Sequence, residues 1–98
     1  MMKVENLTNK KGNKVANQFI ITDESHNIIT FQSYESTIVT IDYTNNIITF
    51  TNKYDYSSTT SKHRNSFLSY YFNNEIKSKD IEKMIEDKRY NNFKVILL

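Results

Sequence analysis

The 98-residue chain contains no cysteine, no proline and no tryptophan, and it has a single glycine. The absence of cysteine excludes disulfide bonds, thiolate nucleophiles and cysteine-ligated zinc. A protein without disulfide bonds is compatible with the reducing cytosol. With one glycine, Gly-rich phosphate loops and the Gly-x-Ser-x-Gly nucleophile elbow are excluded as well. The turns must therefore rely on Asn, Asp and Ser side chains.

Long apolar runs are also missing. No stretch approaches the ~20 apolar residues that a membrane span needs, and Met1–Asn13 is polar and lysine-bearing, without the apolar core of a signal peptide. We therefore expect a cytoplasmic protein with no membrane contact. The length predicts one domain, residues 1–98, with a core too small for a deep enclosed active site.

Charge is distributed unevenly, although the formal net charge is only +2. Residues 1–17 carry four lysines against Glu5, whereas residues 18–50 carry four acidic residues and no lysine or arginine. Nucleic-acid binders normally concentrate basic residues on one face. Here the N-terminal lysines and Lys62–Arg64 are the contributors, and nucleic-acid binding requires the two segments to converge.

Two segments nearly repeat each other at an offset of nineteen residues: FIITDESHNIITF at Phe19–Phe31 and IVTIDYTNNIITF at Ile38–Phe50. Each has an apolar strand, a polar turn ending in Asn and a second apolar strand, so the front half is predicted to be a β-meander. We expect a two-residue Asn45-Asn46 turn that pairs Tyr43 with Ile48. One sheet face then carries Val39, Ile41, Tyr43, Ile48 and Phe50, and the other carries Thr40, Asp42 and Thr49 in water.

The alternation stops after Thr51, and helical spacing follows. Capping side chains in Tyr54–Thr60 and apolar residues at Phe67, Leu68, Tyr71 and Phe72 predict a helix from Thr60 to about Phe72. A second helix has Ser78 as its predicted N-cap and Ile81, Met84 and Ile85 as its buried stripe. Phe93–Leu98 is either a last strand or a docking tail. The predicted fold class is α+β: an antiparallel β-meander of about five strands followed by two helices packed on one face, with that short C-terminal strand as an option.

Tyrosine is the richest functional signal, because its flat apolar ring with a polar tip suits protein interfaces and base stacking. The competing interpretation makes these rings core and rim residues, makes Asp55 a partner of backbone donors at the corner, and makes Lys62–Arg64 a solvated helix face. Our candidates for partner binding are Tyr34, Tyr54, Asp55, Tyr56, Lys62, His63 and Arg64.

No catalytic, cofactor or metal residue is assigned, and no enzyme is expected. A metal site would need His26 or His63 with carboxylates such as Asp23 and Glu24, but the Asp23–His26 run lies in a predicted turn where polar residues serve solvation alone.

Three blocks resemble a family of small uncharacterised proteins encoded by phages and mobile elements of low-GC Gram-positive bacteria. They are KVANQF at Lys14–Phe19, FQSYES at Phe31–Ser36 and YDYSSTTSKHRNSFL at Tyr54–Leu68. The resemblance covers about residues 14–68, and family members often carry Trp where this chain has Tyr54.

Such a context implies a small protein that binds and blocks a host protein or ribonucleoprotein such as a defence nuclease, with an anti-CRISPR as one example and nucleic acid bound weakly at most. An exposed sheet edge or face can do this without catalytic machinery. The alternatives are a nucleic-acid-binding accessory factor that uses the N-terminal lysines with Lys62–Arg64, and a dimeric structural or regulatory module.

Overall fold

The computed structural model describes all 98 residues and consists of a seven-stranded sheet with two helices on one face. The elements in chain order are β1 (Met2–Thr8), β2 (Lys14–Asp23), β3 (Ile28–Ser33), β4 (Ser36–Asp42), β5 (Ile47–Phe50), α1 (Ser58–Phe72), α2 (Ser78–Asp87), β6 (Arg89–Tyr90) and β7 (Phe93–Leu97). The strand order is β1-β2-β3-β4-β5-β7-β6, and every pair is antiparallel except β5 and β7. The α+β prediction is confirmed, and the C-terminal segment is a strand that lies between β5 and β6.

The two hairpins of the repeat have the same turn. Asp23 pairs with Ile28 and Asp42 pairs with Ile47, so each turn contains four residues and ends on an Asn in the left-handed region. The predicted two-residue turn is therefore wrong, and the true register is shifted by two residues.

The physical reason for the longer turn is the aspartate at its start. The Asp42 Oδ1 accepts the backbone N–H groups of Thr44 and Asn45 at 3.0 Å each, and its Oδ2 accepts the Asn45 side-chain amide at 2.9 Å. A carboxylate that bonds the backbone two and three residues on stabilises this turn over a tight one. These hydrogen bonds, the Asn45 amide first, lower the pKa of Asp42.

A shift of two residues keeps every side chain on its predicted face, because strand side chains alternate with a period of two. Val39, Ile41, Ile48 and Phe50 are fully buried, and Tyr43 packs half-buried against them. A β-bulge between Phe31 and Gln32, opposite Thr37 and Val39, lets Ile38 join this core next to Val39. Phe67, Leu68, Ile81 and Met84 cover the same face from the two helices.

Both helices begin and end on recognisable caps. The Ser57 Oγ accepts the Thr60 N–H at 3.0 Å at the start of α1, and Asn73 ends the helix at φ 50°. The predicted N-cap of α2 is wrong by one residue: Lys77 holds that position, and its N–H donates to the Asp80 carboxylate at 2.8 Å. Neither helix is both long and apolar enough to cross a membrane.

Candidate functional site

One end of the sheet gathers three connecting segments. Because the first five strands are antiparallel, the β1–β2 loop, the β3–β4 turn and the segment that follows β5 all lie there. Direct bonds join them: the Tyr34 N–H donates to the Asn17 carbonyl at 2.7 Å, and the Thr51 hydroxyl donates to the Thr37 carbonyl at 2.6 Å. The first turn of α1 is attached to the same end by a 3.1 Å bond between the Ser33 and Thr60 hydroxyls.

This end collects exposed lysines from three separate parts of the chain, and we call it the basic end. Its lysines are Lys10, Lys11, Lys14, Lys53 and Lys62. None of them forms an ion pair, since the salt bridges of the protein are His26–Asp23, Lys77–Glu75 and Lys83–Asp87. The acids that accompany these lysines are Glu35 and Asp55, so the end is positive. The two basic segments that the sequence keeps apart therefore lie at one end of the fold.

Two of the candidate tyrosines project from the basic end. Tyr34 is 53% exposed and Tyr56 is 48% exposed. Tyr34 adopts φ 56°, a conformation rare for an aromatic residue, and it is held there by bonds from its own N–H to Asn17 and from the Gln32 amide to its carbonyl at 2.7 Å. The Lys53 ammonium lies 5.8 Å from the centre of the Tyr56 ring. Neighbours thus hold the Tyr34 backbone and the Tyr56 ring, and about half of each residue stays exposed to solvent.

Tyr54 faces inward instead. Its ring packs edge-on against Phe50 with centroids 5.8 Å apart, and the Arg64 guanidinium lies 5.7 Å from its centre. For this residue the core interpretation fits the geometry.

Arg64 is the clearest departure from expectation, because only 2% of its surface is exposed. The interpretation of Lys62–Arg64 as a solvated face is wrong for this residue. Its guanidinium donates to the Tyr54 carbonyl, to the Asn65 Oδ1 at 2.9 and 3.1 Å, and to the Ser78 hydroxyl at 3.0 Å. Because the Arg64 side chain is buried and its donors are used inside the protein, it joins the corner at Tyr54 and the start of α2 to α1. We therefore exclude Arg64 from the proposed contact surface.

The sequence did carry a signal for that burial. Position 64 lies four residues after Thr60 and three and four residues before Phe67 and Leu68, on the buried stripe of α1. A hydrophobicity pattern misses this position because arginine counts as a polar residue.

The charges around Arg64 are arranged without a direct carboxylate partner. Burial lowers the pKa of Arg64, and the negative charges of Asp55 and Glu82 oppose that shift. Asp55 is exposed and its side chain makes no hydrogen bond, so the expectation that it satisfies backbone donors at the corner is wrong. Burial, with a smaller contribution from Lys62, lowers the pKa of the partly buried His63 and so favours its neutral imidazole.

The histidine and acidic residues considered as metal ligands lie away from the basic end. His26 and Asp23 bond each other at 2.8 Å in the first hairpin turn, at the opposite end of the sheet. No three His, Asp or Glu side chains lie together as metal ligands. A cavity of about 220 Å³ between β1 and α1, lined in part by Glu5, Tyr70 and Tyr71, was not apparent from the sequence. Burial raises the pKa of Tyr71, and the nearby Tyr70 and Glu5 add to that effect.

Comparison with known proteins identifies the family of this chain but no characterised relative. No curated protein and no solved structure is significantly similar to this chain. A family model does match residues 2–83, which include the five meander strands, α1 and the three segments of the basic end. The chain therefore belongs to DUF8033, a family of unknown function.

Proposed function

We propose that this is a small non-catalytic accessory protein of a phage or mobile element, which binds and blocks a host protein or ribonucleoprotein through its basic end. Its place of action would be the host cytoplasm. The observation that carries the proposal is the meeting of five unpaired lysines with the exposed rings of Tyr34 and Tyr56 at one end of the sheet.

The chemistry of these side chains favours contact with a macromolecule. Tyrosine is enriched at interface hot spots because it places a large rigid ring against a partner at little entropic cost. Unpaired lysines lose no intramolecular ion pair when they meet an anionic surface, and they speed the encounter with it. A ribonucleoprotein offers both phosphates and protein pockets, and a defence nuclease complex of the anti-CRISPR target type is the partner we test first.

Binding to nucleic acid alone is the second candidate. It is favoured by the same convergence, because basic segments on opposite sides of the fold would have removed most of its support. The two candidates differ in the source of affinity: counterion release alone gives dissociation constants of about 10⁻⁴–10⁻⁶ M at physiological salt. A protein partner adds tyrosine contacts to that contribution.

The test is a titration of the purified chain against candidate nuclease complexes, their guide RNA alone and duplex DNA, at physiological salt. We expect submicromolar binding to one complex and at least about tenfold weaker binding to either nucleic acid. The double variant Tyr34→Ala/Tyr56→Ala should weaken binding to that complex by about 10–100-fold.

Tyr70→Ala is the matched control, because Tyr70 is 76% exposed but lies towards the end of α1, beside β1. It should change the affinity by less than about threefold. Equal losses from the control and the double variant would move the interface to the α1–β1 cavity. Submicromolar binding to naked nucleic acid would establish the second candidate in place of the first.

A further inference from the structure

The face of the sheet that points away from the helices is covered by nothing, and its composition is not that of an ordinary solvated face. We define the open face by two rows of residues that run across the strands. On the five central strands, β2 to β5 and β7, the middle row is Ile21, Thr30, Thr40, Thr49 and Ile96, and the row beside it is Asp23, Ile28, Asp42, Ile47 and Lys94. Four of these ten side chains are isoleucines, and all four are partly exposed. A solvated face of a small domain does not need them.

Within these five strands, the middle row has the same composition in both directions; beyond them, β1 adds Val4 to this row and Met2 to the second, whereas β6 adds only Arg89 to the second. Thr40 is its centre, with threonines on the two neighbouring strands and isoleucines beyond them. Thr40 also lies on β4, the fourth of the seven strands and the middle of the sheet. A two-fold axis close to β4 would place Ile21 opposite Ile96 of a second copy and Thr30 opposite its Thr49. From these two rows we infer that the open face binds the same face of a second copy of this chain.

The charges of the second row support that occupant. The acids Asp23 and Asp42 lie on β2 and β4, whereas Lys94 lies on β7. The same axis places Asp23 opposite Lys94 of the second copy, twice in each dimer, and Ile28 opposite its Ile47. Asp42 lies on the axis and faces itself, with its carboxylate already bonded to donors of its own turn. When a second copy is related to the first by a two-fold axis along β4, Asp23 of one copy faces Lys94 of the other and isoleucines face isoleucines. A closed two-fold interface requires such a self-complementary surface.

The available area predicts a weak dimer. Seven strands about 4.8 Å apart and two residue rows about 6.8 Å apart give at most about 450 Å² of face per copy. Two copies would bury roughly 900 Å², the size of a weak and transient interface, so association is expected only in the upper micromolar range. Sheets that pack face to face do so about 10 Å apart with their strands within about 30° of alignment, which this axis permits.

The dimer goes beyond the proposed function and does not depend on it. Because the axis runs along the strands, both basic ends would point the same way, and one dimer would present two copies of the Tyr34 and Tyr56 surface. Loss of dimerisation with the basic end intact would lower avidity without removing the contact itself.

The test exploits the Asp23–Lys94 pairing. In analytical ultracentrifugation of the full chain from about 1 µM to about 1 mM, the unmodified protein should show a concentration-dependent monomer–dimer equilibrium. Asp23→Lys and Lys94→Asp should each weaken it at least about tenfold, because each variant puts like charges opposite each other twice. An equimolar mixture of the two variants should form a heterodimer of near-original affinity, since both of its pairs are again opposite in charge.

Thr40→Lys, on the axis, should abolish the dimer, and Asp42→Asn should strengthen it by relieving like-charge contact. Circular dichroism checks that every variant is folded, and the mixture of charge variants remains informative if Thr40→Lys is not. A monomer at every concentration overturns the inference. So does a dimer that ignores both charge reversals, which would indicate pairing through the sheet edges β1 or β6.

Discussion

At the scale of single residues, Arg64 explains how the corner after β5 and the start of α2 are held to α1. One guanidinium bonds a backbone carbonyl at Tyr54, a side-chain amide on α1 and the first hydroxyl of α2 at Ser78. A planar group with five donors can serve three acceptors in different directions, whereas an ammonium on a flexible stem cannot do so from the same position. Arginine is therefore required here for its shape as well as for its charge.

We expect Arg64→Lys to lower the free energy of unfolding by about 1–3 kcal/mol, because the charge stays buried while at least one acceptor loses its donor. Urea denaturation measures the loss. Lys62→Arg, a substitution between the same residue types at an exposed position two residues earlier, should stay within about 0.5 kcal/mol of the original. An unchanged midpoint for Arg64→Lys would show that the fork geometry is not needed.

Residue by residue, the candidate site could be predicted only in part. Tyr34 and Tyr56 are exposed because they lie in a tight turn and in a corner, and of these two the sequence pattern predicted the corner alone. Tyr54 and Arg64 turn inward because they stack on each other above the edge of the core. That contact joins positions ten residues apart, and local patterns carry no information about such pairs.

At the scale of elements, the repeat predicted the hairpins, the faces and the core, but not the turn length. The prediction treated Asp42 as a solvated strand residue, whereas its carboxylate organises the turn and Asn46 closes it at φ 55°. The β5–β7 pairing was also out of reach, because a parallel partner that arrives after two helices is a long-range choice. Periodicity determines faces, and side-chain to backbone bonds determine where a strand stops.

The closing asparagine can be tested with a matched pair of substitutions. Asn46→Ala and Asn46→Gly both remove the amide, and they differ only by the Cβ that the left-handed conformation disfavours. We expect the Ala variant to be about 1 kcal/mol less stable than the Gly variant, and the same order at Asn27, where φ is 57°. Thermal or urea unfolding gives the comparison. Equal stabilities at both sites would mean that the turns relax to other conformations.

At the scale of the whole molecule, the two ends of the sheet differ in their charge. The hairpin turns carry Asp23, Glu24 and Asp42 at one end, where Lys3, Arg89 and Lys94 also lie, so acids and cations are mixed there. The other end is the basic end, whose five lysines outnumber its acids, so the positive charge that the small net charge conceals is concentrated there. The positive end can steer the molecule towards an anionic surface although the chain as a whole is nearly neutral.

This difference predicts which lysines govern the salt dependence of nonspecific binding. With single-stranded DNA as a probe, each phosphate contact contributes about 0.7 to the slope of log affinity against log salt. The triple variant Lys10→Ala/Lys11→Ala/Lys14→Ala should reduce the slope by about 2. Lys3→Ala/Lys79→Ala/Lys83→Ala removes the same charge from positions outside the basic end and should change the slope by less than about 0.5. Fluorescence anisotropy at four salt concentrations measures both slopes, with unfolding midpoints checked for each variant. Equal reductions from the two triple variants would show that binding follows net charge, and the basic end would then lose its role as a distinct surface.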